Sequence, residues 1–278
     1  MNDLELDAFL RRALAEDIGH GDVTTEAIVP AGARARGVVR VKASGVIAGL
    51  DVAARVFALL DPASAWRAEA ADGDWIGDVP HDVAEVSGSA RALLSGERVA
   101  LNLLQRLSGI ATASRRAVEA AGGRLTILDT RKTTPGLRML EKWAVRLGGA
   151  SNHRFALFDG VLIKDNHIRA AGSLGEAVRR ARARVAPALR IEVEASTLAE
   201  VEEAVRSGAD IILLDNMTPA QMREAVAAIG GRARTEASGG ITLANLAEVA
   251  ATGVDYASMG SLTHSAPALD ISLKLVEP

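Results

Sequence analysis

The residues best suited to chemistry are basic side chains crowded into the middle of the chain. Arg131 and Lys132 follow one short apolar run, His153 and Arg154 precede the next, and Lys164 ends that second run. Guanidinium groups bind carboxylates and phosphates through paired hydrogen bonds, and lysine supplies a compact charge. If these five potential cations converge, they form a pocket for a strongly anionic ligand.

Three further basic residues in this stretch have a different interpretation. The spacing of Arg138, Lys142 and Arg146 places them along a predicted helix at 137–148. Charged residues repeating at helical spacing usually form a solvated face, so we interpret them as surface.

Acidic and small residues follow the later apolar runs. Glu194 and Asp215 end two successive runs. Such carboxylates can hold Mg²⁺, hydrogen-bond sugar hydroxyls or form salt bridges with the basic cluster, and the pattern leaves these open. The last two runs end in small residues, which allow backbone N–H groups to approach a phosphate. The small-residue positions are Ser238, Gly239, Gly240, Gly260 and Ser261.

Alternating apolar runs and amphipathic stretches indicate the elements that must position these residues. The predicted strands are 125–130, 160–166, 189–195, 210–216, 234–240 and 254–260, and the predicted helices are 137–148, 173–185, 197–207, 218–229 and 242–252. This repetition indicates consecutive βα units and a parallel sheet. A barrel with fewer than eight strands and an open doubly wound sheet both fit. Polar residues end every strand, which favours the incomplete barrel.

The N-terminal part has a different pattern. Helices are predicted at 3–16, 51–60 and 96–121, and strands at 35–44 and 46–50 with shorter ones toward 65–92. Grouped strands indicate an α+β domain. We therefore predict an α+β sandwich domain at 1–110, with an interface helix from about 96, and an α/β barrel domain at 111–278. Packing of the N-terminal segment against the C-terminus remains open.

Composition excludes several classes of protein. The 278 residues carry a net charge of −3, 49% are hydrophobic, and there is no cysteine. This excludes disulfide frameworks, thiol nucleophiles and cysteine-ligated metals, and the charge balance argues against nucleic-acid binding. No apolar run reaches the roughly 18 residues of a membrane span, and the acidic N-terminus is unlike a signal peptide. We expect a cytoplasmic protein that binds neither membrane nor nucleic acid.

Several motifs resemble the quinolinate phosphoribosyltransferase family, also called nicotinate-nucleotide pyrophosphorylase (carboxylating). They are EDIGHGDVTT (16–25), GERVALNLLQRLSGIAT (96–112), DTRKTTPGLR (129–138), EKWAVRLGGASNHR (141–154), VLIKDNHI (161–168), IEVEASTL (191–198), IILLDN (211–216), EASGGI (236–241) and GSLTHS (260–265). The resemblance implies a small sandwich domain, an incomplete barrel and a homodimer. It implies that quinolinate and 5-phosphoribosyl-1-diphosphate give nicotinate mononucleotide, diphosphate and CO₂ in NAD biosynthesis, with Mg²⁺.

The resemblance also assigns roles to residues. It places Arg131, His153, Arg154 and Lys164 in the quinolinate pocket, Lys132 near phosphoribosyl diphosphate, Glu194 and Asp215 at the ribose and metal, Ser238, Gly239, Gly240 and Gly260 at the 5′-phosphate, and Arg98 in the partner's site. We add Thr130, Met259 and Ser261 as neighbouring substrate-binding residues. Lys132, Lys164, Glu194 and Asp215 are the expected catalytic residues. Ala150 and Met259 depart from the family pattern, which puts packing in question more than chemistry.

Three alternatives remain open. A molybdenum-transport-associated paralogue shares part of the motif series. Lys164 could instead be the Schiff-base lysine of a barrel aldolase. The chain could also bind a nucleotide purely as a regulator. We expect no organic cofactor in the favoured reaction, because the ribosylated pyridinium itself accepts the electrons released on decarboxylation.

Overall fold

The computed structural model describes residues 3–276, which form two compact units that are each discontinuous in sequence. The first unit combines the residues up to Ala113 with Thr134–Gly148 and the residues from Ser265 onward, and the second combines Ser114–Thr133 with Gly149–His264. The segment predicted as barrel, 111–278, is therefore divided between the units.

The helices and strands in chain order are as follows. The first half contains α1 (Asp3–Ile18), α2 (Val23–Ile28), β1 (Arg34–Val41), β2 (Gly45–Val46), α3 (Leu50–Leu60), β3 (Ala65–Ala68), β4 (Trp75–Ile76), β5 (His81–Ser89), α4 (Ala90–Ala121), β6 (Thr126–Leu128) and α5 (Arg138–Leu147). The second half contains β7 (Val161–Ile163), α6 (Asp165–Ala171), α7 (Leu174–Arg182), β8 (Ile191–Ala195), α8 (Leu198–Arg206), β9 (Ile211–Asp215), α9 (Pro219–Ile229), β10 (Arg234–Ser238), α10 (Leu246–Ala250), β11 (Tyr256–Ser258), α11 (Ser261–His264) and β12 (Ile271–Val276).

The first unit is built on an antiparallel sheet in the order β12-β1-β5-β3, with α1 packed against α3. Side chains alternate between the two faces of β1, so Val39 and Val41 are buried while Arg40 lies on the other face beside Asp82. The C-terminal strand β12 pairs with β1 along its length, with Val39 opposite Leu273. This antiparallel sheet and its helices form the α+β domain that the sequence predicted.

The second unit contains six parallel strands in the order β6-β11-β10-β9-β8-β7. Strands such as β9 are continuous apolar runs, typical of a sheet covered on both faces. At one edge, Leu128 of β6 also forms a parallel bridge with Ser151, which lies between α5 and β7. The predicted incomplete β/α barrel is confirmed.

Local signals explain where several helices begin. Thr197 and Thr218 cap α8 and α9, each within a capping box, and Pro219 occupies the first turn of α9, which agrees with the helices predicted from 197 and 218. The helix predicted from 242 starts later than expected: the Thr242 N–H donates to the side chain of Asn245, and α10 begins at Leu246, four residues after Thr242. Within residues 3–276, none of the helices is both long enough and apolar enough to cross a bilayer.

Candidate active site

The strand ends of the second unit open into one cavity of about 600 Å³. Parallel strands present all their carboxyl ends at one side, so residues distant in sequence meet there. The cavity brings together most of the predicted site residues: Thr130, Arg131, Lys132, His153, Arg154, Lys164, Glu194, Asp215, Ser238, Gly239 and Gly240. The sequence-based expectation that the basic residues converge therefore matches the geometry, whereas their individual roles stay predictions.

Four predicted residues lie outside the lining. Met259 is buried, and Gly260 and Ser261 lie at the start of α11. Arg98 lies on α4 in the first unit, with 58% of its side chain exposed and Glu97 as a distant ion-pair neighbour at 4.0 Å. The trans role predicted for Arg98 remains a prediction.

Arg131 and Arg154 are less exposed than the two lysines of the cavity, Lys132 and Lys164. Burial lowers the pKa of Arg154, and the positive charge of neighbouring Arg131 acts in the same direction. A lowered arginine pKa means that the charged form is poorly solvated there, so an added anion is favoured. Arg154 is also fixed in place, because its Nη1 donates to the carbonyl of Gly160 at 3.0 Å.

Lys164 and Glu194 form an ion pair across neighbouring strand ends. The Nζ of Lys164 lies 3.0 Å from Oε2 of Glu194, and 48% of the lysine side chain is exposed. The salt-bridge interpretation of Glu194 is therefore realised. A Schiff-base lysine must reach its neutral form, usually through desolvation. A half-exposed ammonium paired with a carboxylate is the opposite environment, which disfavours the aldolase alternative.

The segments that follow β9 and β10 lie side by side at the other side of the cavity, where they are joined by hydrogen bonds. Asp215 accepts a hydrogen bond from the side chain of Asn216 at 2.8 Å, and the N–H of Asn216 donates to the carbonyl of Ser238. Gly239 has φ +85°, and a Cβ there would collide with the carboxamide of Asn216. Only glycine fits this position, which leaves backbone exposed to a ligand.

Gly260 provides the space that Lys132 occupies. A Cβ at Gly260 would lie 2.9 Å from Cδ of Lys132, and the hydroxyl of Thr263 donates to the Lys132 carbonyl at 2.9 Å. The predicted phosphate-loop glycine thus contacts the lysine side chain and does not line the cavity.

Sequence reasoning missed the residue that shapes the loop before β7. Asp129 is buried at the end of β6 and accepts from the N–H of His153 at 2.9 Å and from Nδ2 of Asn152 at 2.6 Å. A buried carboxylate needs such donors, and here they hold the His153–Arg154 backbone at the cavity. The sequence feature that could have identified Asp129 is its position directly after an apolar run.

Sequence reasoning also missed two acids inside the barrel. Glu192 and Glu236 are 4% and 1% exposed, on β8 and β10. Together with His153 they offer three potential metal-ligand atoms within 4.8 Å of one another. The signal was present in the alternation of IEVEA, because Glu192 lies two residues before Glu194 and so faces the same side.

A second cavity of about 460 Å³ lies at the amino ends of the strands, lined by residues such as Thr126, Ile211 and Tyr256. It shares His153, Arg154 and Glu236 with the first cavity. These side chains therefore form the partition between the two halves of the barrel interior.

The helix predicted to carry a solvated basic face has a mixed character. Arg146 is exposed on α5, but Lys142 is only 2% exposed, next to the buried Glu141. Glu141 accepts from Arg106 at 2.9 Å and from the N–H of Thr134 at 3.0 Å. The surface interpretation is wrong for Lys142, because one face of this helix belongs to the core of the first unit.

Comparison with known proteins identifies a family for this chain. The profile of the quinolinate phosphoribosyl transferase C-terminal domain matches residues 110–274, and that of the N-terminal domain matches residues 22–108. A probable nicotinate-nucleotide pyrophosphorylase [carboxylating] of Bacillus subtilis is 48% identical over 98% of this chain and 94% of its own. Quinolinate phosphoribosyltransferase [decarboxylating] 1b of Nicotiana tabacum is 41% identical over 98% of this chain and 82% of its own.

A solved structure supports the same assignment. NadC from Streptococcus pyogenes superposes with a TM-score of 0.94 at 44% identity, over 100% of this chain and 99% of that one. Both family domains match in order, and the similarity extends over nearly all of both chains. The chain therefore belongs to the quinolinate phosphoribosyltransferase family.

Proposed function

We propose that this chain transfers the phosphoribosyl group of 5-phosphoribosyl-1-diphosphate to quinolinate, with decarboxylation, in NAD biosynthesis. The products are nicotinate mononucleotide, diphosphate and CO₂. The observation that carries this proposal is the single cavity in which Arg131, Lys132, Arg154 and Lys164 face Glu194, Asp215 and a glycine turn. Relatives similar over nearly the whole chain are named for this reaction.

The cationic side of the cavity suits quinolinate. Quinolinate carries two adjacent carboxylates, and two guanidinium groups can each bind one through paired hydrogen bonds. Arg131 and Arg154 are close enough for their charges to interact, so a dianion relieves their mutual repulsion. Holding the pyridine nitrogen toward the ribose C1 lowers the barrier by positioning alone.

The acidic side suits the ribose. The C1–O bond to diphosphate breaks as the bond from the pyridine nitrogen to C1 forms, so positive charge develops on the sugar. Glu194 and Asp215 end adjacent strands, and fixed carboxylates stabilise such a charge. Backbone N–H groups near Gly239 and Gly240 are suited to the 5′-phosphate.

Decarboxylation needs no organic cofactor. Once the nitrogen is ribosylated, the bond from C2 to its carboxylate breaks, and the electron pair remains at C2 beside the positive nitrogen. A proton from solvent then replaces CO₂. The arginines of this chain hold the remaining carboxylate during that step.

The donor set also fits Mg²⁺. Glu194 and Asp215 offer carboxylate oxygens, which Mg²⁺ prefers, and Mg²⁺ usually completes its shell with water and substrate phosphates. We propose that these two residues hold the ion together with the diphosphate, whose charge it neutralises when bound. Glu194 would then exchange its ion pair with Lys164 for the ion.

The assembly and location follow the family resemblance. We propose a cytoplasmic homodimer in which Arg98 of each subunit reaches the partner's cavity. The exposure of Arg98 supports this, since its guanidinium is available for another chain.

Turnover by the purified chain tests the proposed function. Supplied with quinolinate, phosphoribosyl diphosphate and Mg²⁺, it should release nicotinate mononucleotide, diphosphate and CO₂ in equal amounts. Nicotinate in place of quinolinate is the control and should react poorly, since it lacks the 2-carboxylate. Binding without turnover would contradict the proposal and favour the regulator or the transport-associated paralogue. Borohydride trapping of Lys164 with a carbonyl substrate would instead support the aldolase.

A further inference from the structure

Two buried acids meet one histidine at the partition of the barrel. Nε2 of His153 lies 2.9 Å from Oε2 of Glu192 and 3.6 Å from Oε2 of Glu236. The Oε1 atoms of both glutamates are buried without a hydrogen-bond partner in the described structure. Two carboxylates confined this closely cannot both carry full charge without a large desolvation cost.

The hydrogen bonds of the His153 ring determine its tautomer. The backbone N–H of Arg154 donates to Nδ1 at 2.7 Å, so Nδ1 must be the acceptor. The ring proton is then on Nε2 and is donated to Glu192. In this arrangement His153 is neutral and links the buried acids to the backbone of Arg154. Four of the five predicted cations therefore remain in the cavity.

The environment indicates which acid holds a proton. Burial, and after it the charge of nearby Glu192, raises the pKa of Glu236 to about 8. A protonated Glu236 can donate to Glu192, leaving Glu192 as the acceptor for His153. The other charged or titratable groups lining the two cavities are Arg131, Lys132, Lys164, Glu194 and Asp215 on one side and Asp159, Arg190 and Tyr256 on the other, with Arg154 on both.

We propose that Glu192 and Glu236 are positioning residues for quinolinate, which act through His153 to fix the backbone from which the Arg154 guanidinium reaches the cavity. Arg154 has two further constraints, from the Gly160 carbonyl and from Asp129 through the preceding residue. Glu192 and Glu236 add a third constraint, which reaches the Arg154 backbone through the His153 ring. The inference deepens the proposed function and rests on it, since the positioned guanidinium is the one assigned to quinolinate.

Kinetics of two Glu236 variants test the inference. Glu236→Leu removes the donor, and we expect KM for quinolinate to rise about tenfold or more, with kcat and KM for phosphoribosyl diphosphate changing less. Glu236→Gln keeps a donor without charge and should recover most of that loss. Exposed Glu248→Gln is the matched control. Equal kinetics for the Leu and Gln variants, or a loss confined to phosphoribosyl diphosphate, would overturn the proposal.

A spectroscopic readout separates this inference from the proposed function. Ring ¹⁵N shifts report which histidine nitrogen carries the proton, and His153→Asn identifies the signal among five histidines. We expect Nε2 protonated and Nδ1 bare in the free protein and in Glu236→Gln, with the Nε2 proton signal shifted downfield by its hydrogen bond to Glu192. Glu192→Leu removes the acceptor of that bond, so the downfield shift should be lost, and an unchanged Nε2 proton signal in this variant would overturn the proposal. A protein without turnover but with this pattern would refute only the proposed function.

Discussion

The ammonium of Lys164 lies 3.0 Å from a carboxylate oxygen of Glu194, which joins the ends of β7 and β8 across the cavity mouth. Because the pair is partly exposed, water weakens it, and an entering anion can compete for the lysine. Displacement of Lys164 would release Glu194 toward the ribose or the metal ion. The ion pair thus couples the anion-binding and ribose-binding sides of the site.

Arg131→Lys tests the paired hydrogen bonds assigned to quinolinate. Lysine keeps the charge but loses the planar fork, so we expect KM for quinolinate to rise about tenfold or more. Circular dichroism and Tm should stay near wild type. Exposed Arg146→Lys on α5 is the matched control and should behave as wild type. Unaltered quinolinate affinity in Arg131→Lys would refute the role.

Asp215→Asn tests the ribose and metal assignment. The amide keeps the shape of the side chain but removes the charge, so use of phosphoribosyl diphosphate should fall about tenfold or more while quinolinate binding changes little. Separate calorimetric titrations of the two ligands, with and without Mg²⁺, measure this. A selective loss of quinolinate binding would show that Asp215 serves the cationic side.

The sequence predicted the barrel and the residues of its mouth because a single rule locates them. Polar residues that directly follow apolar strands in a parallel sheet must share one edge, which placed Lys164, Glu194 and Asp215 correctly in the cavity. The same rule does not identify Glu192 and Glu236, because they lie inside strands β8 and β10 and not at their ends. Pairing of His153 with Glu192 depends on chain segments 39 residues apart, which local patterns do not encode.

Two other differences between the prediction and the structure arise from packing and from the shortness of one helix. Lys142 is buried although its spacing fits a surface helix, since spacing defines two faces without saying how much each one buries. α6 follows Lys164 directly, where the apolar run and its polar end suggested only a strand terminus. Its seven residues are too few for a clear helical period.

Gly239→Ala tests the turn beside Asp215. An added Cβ would collide with Asn216 in a conformation that already disfavours side chains, so the turn must shift. We expect KM for phosphoribosyl diphosphate to rise and Tm to fall by a few degrees, for a cost of about 1–2 kcal/mol. Gly231→Ala is the matched control, because Gly231 also has positive φ but open space around it. Equal kinetic effects in both variants would refute a specific role for the turn.

We expect Glu236→Gln to gain stability relative to the wild type as the pH rises. The folded-state pKa of Glu236 is raised from 4.5 to about 8, so the native protein holds a proton that the unfolded chain releases. That stabilisation is fully present below pH 4.5 and is lost as the pH rises toward about 8.

Glutamine does not titrate, so the Tm of Glu236→Gln relative to wild type should increase across this window. Thermal unfolding at its acidic and alkaline ends, with Glu248→Gln as the exposed control, measures the difference. A constant difference would show that Glu236 is ionised throughout.

Mixed dimers test whether Arg98 acts in the partner's site. Arg98→Ala and Lys164→Ala subunits should each be inactive alone. If Arg98 completes the partner's cavity while Lys164 serves its own, a mixed dimer has one site with both defects and one with neither. Random exchange makes roughly half of the dimers mixed, so about a quarter of wild-type activity should return. Exchange is verified independently with differently tagged subunits. Confirmed exchange without recovered activity would show that Arg98 does not act across the interface.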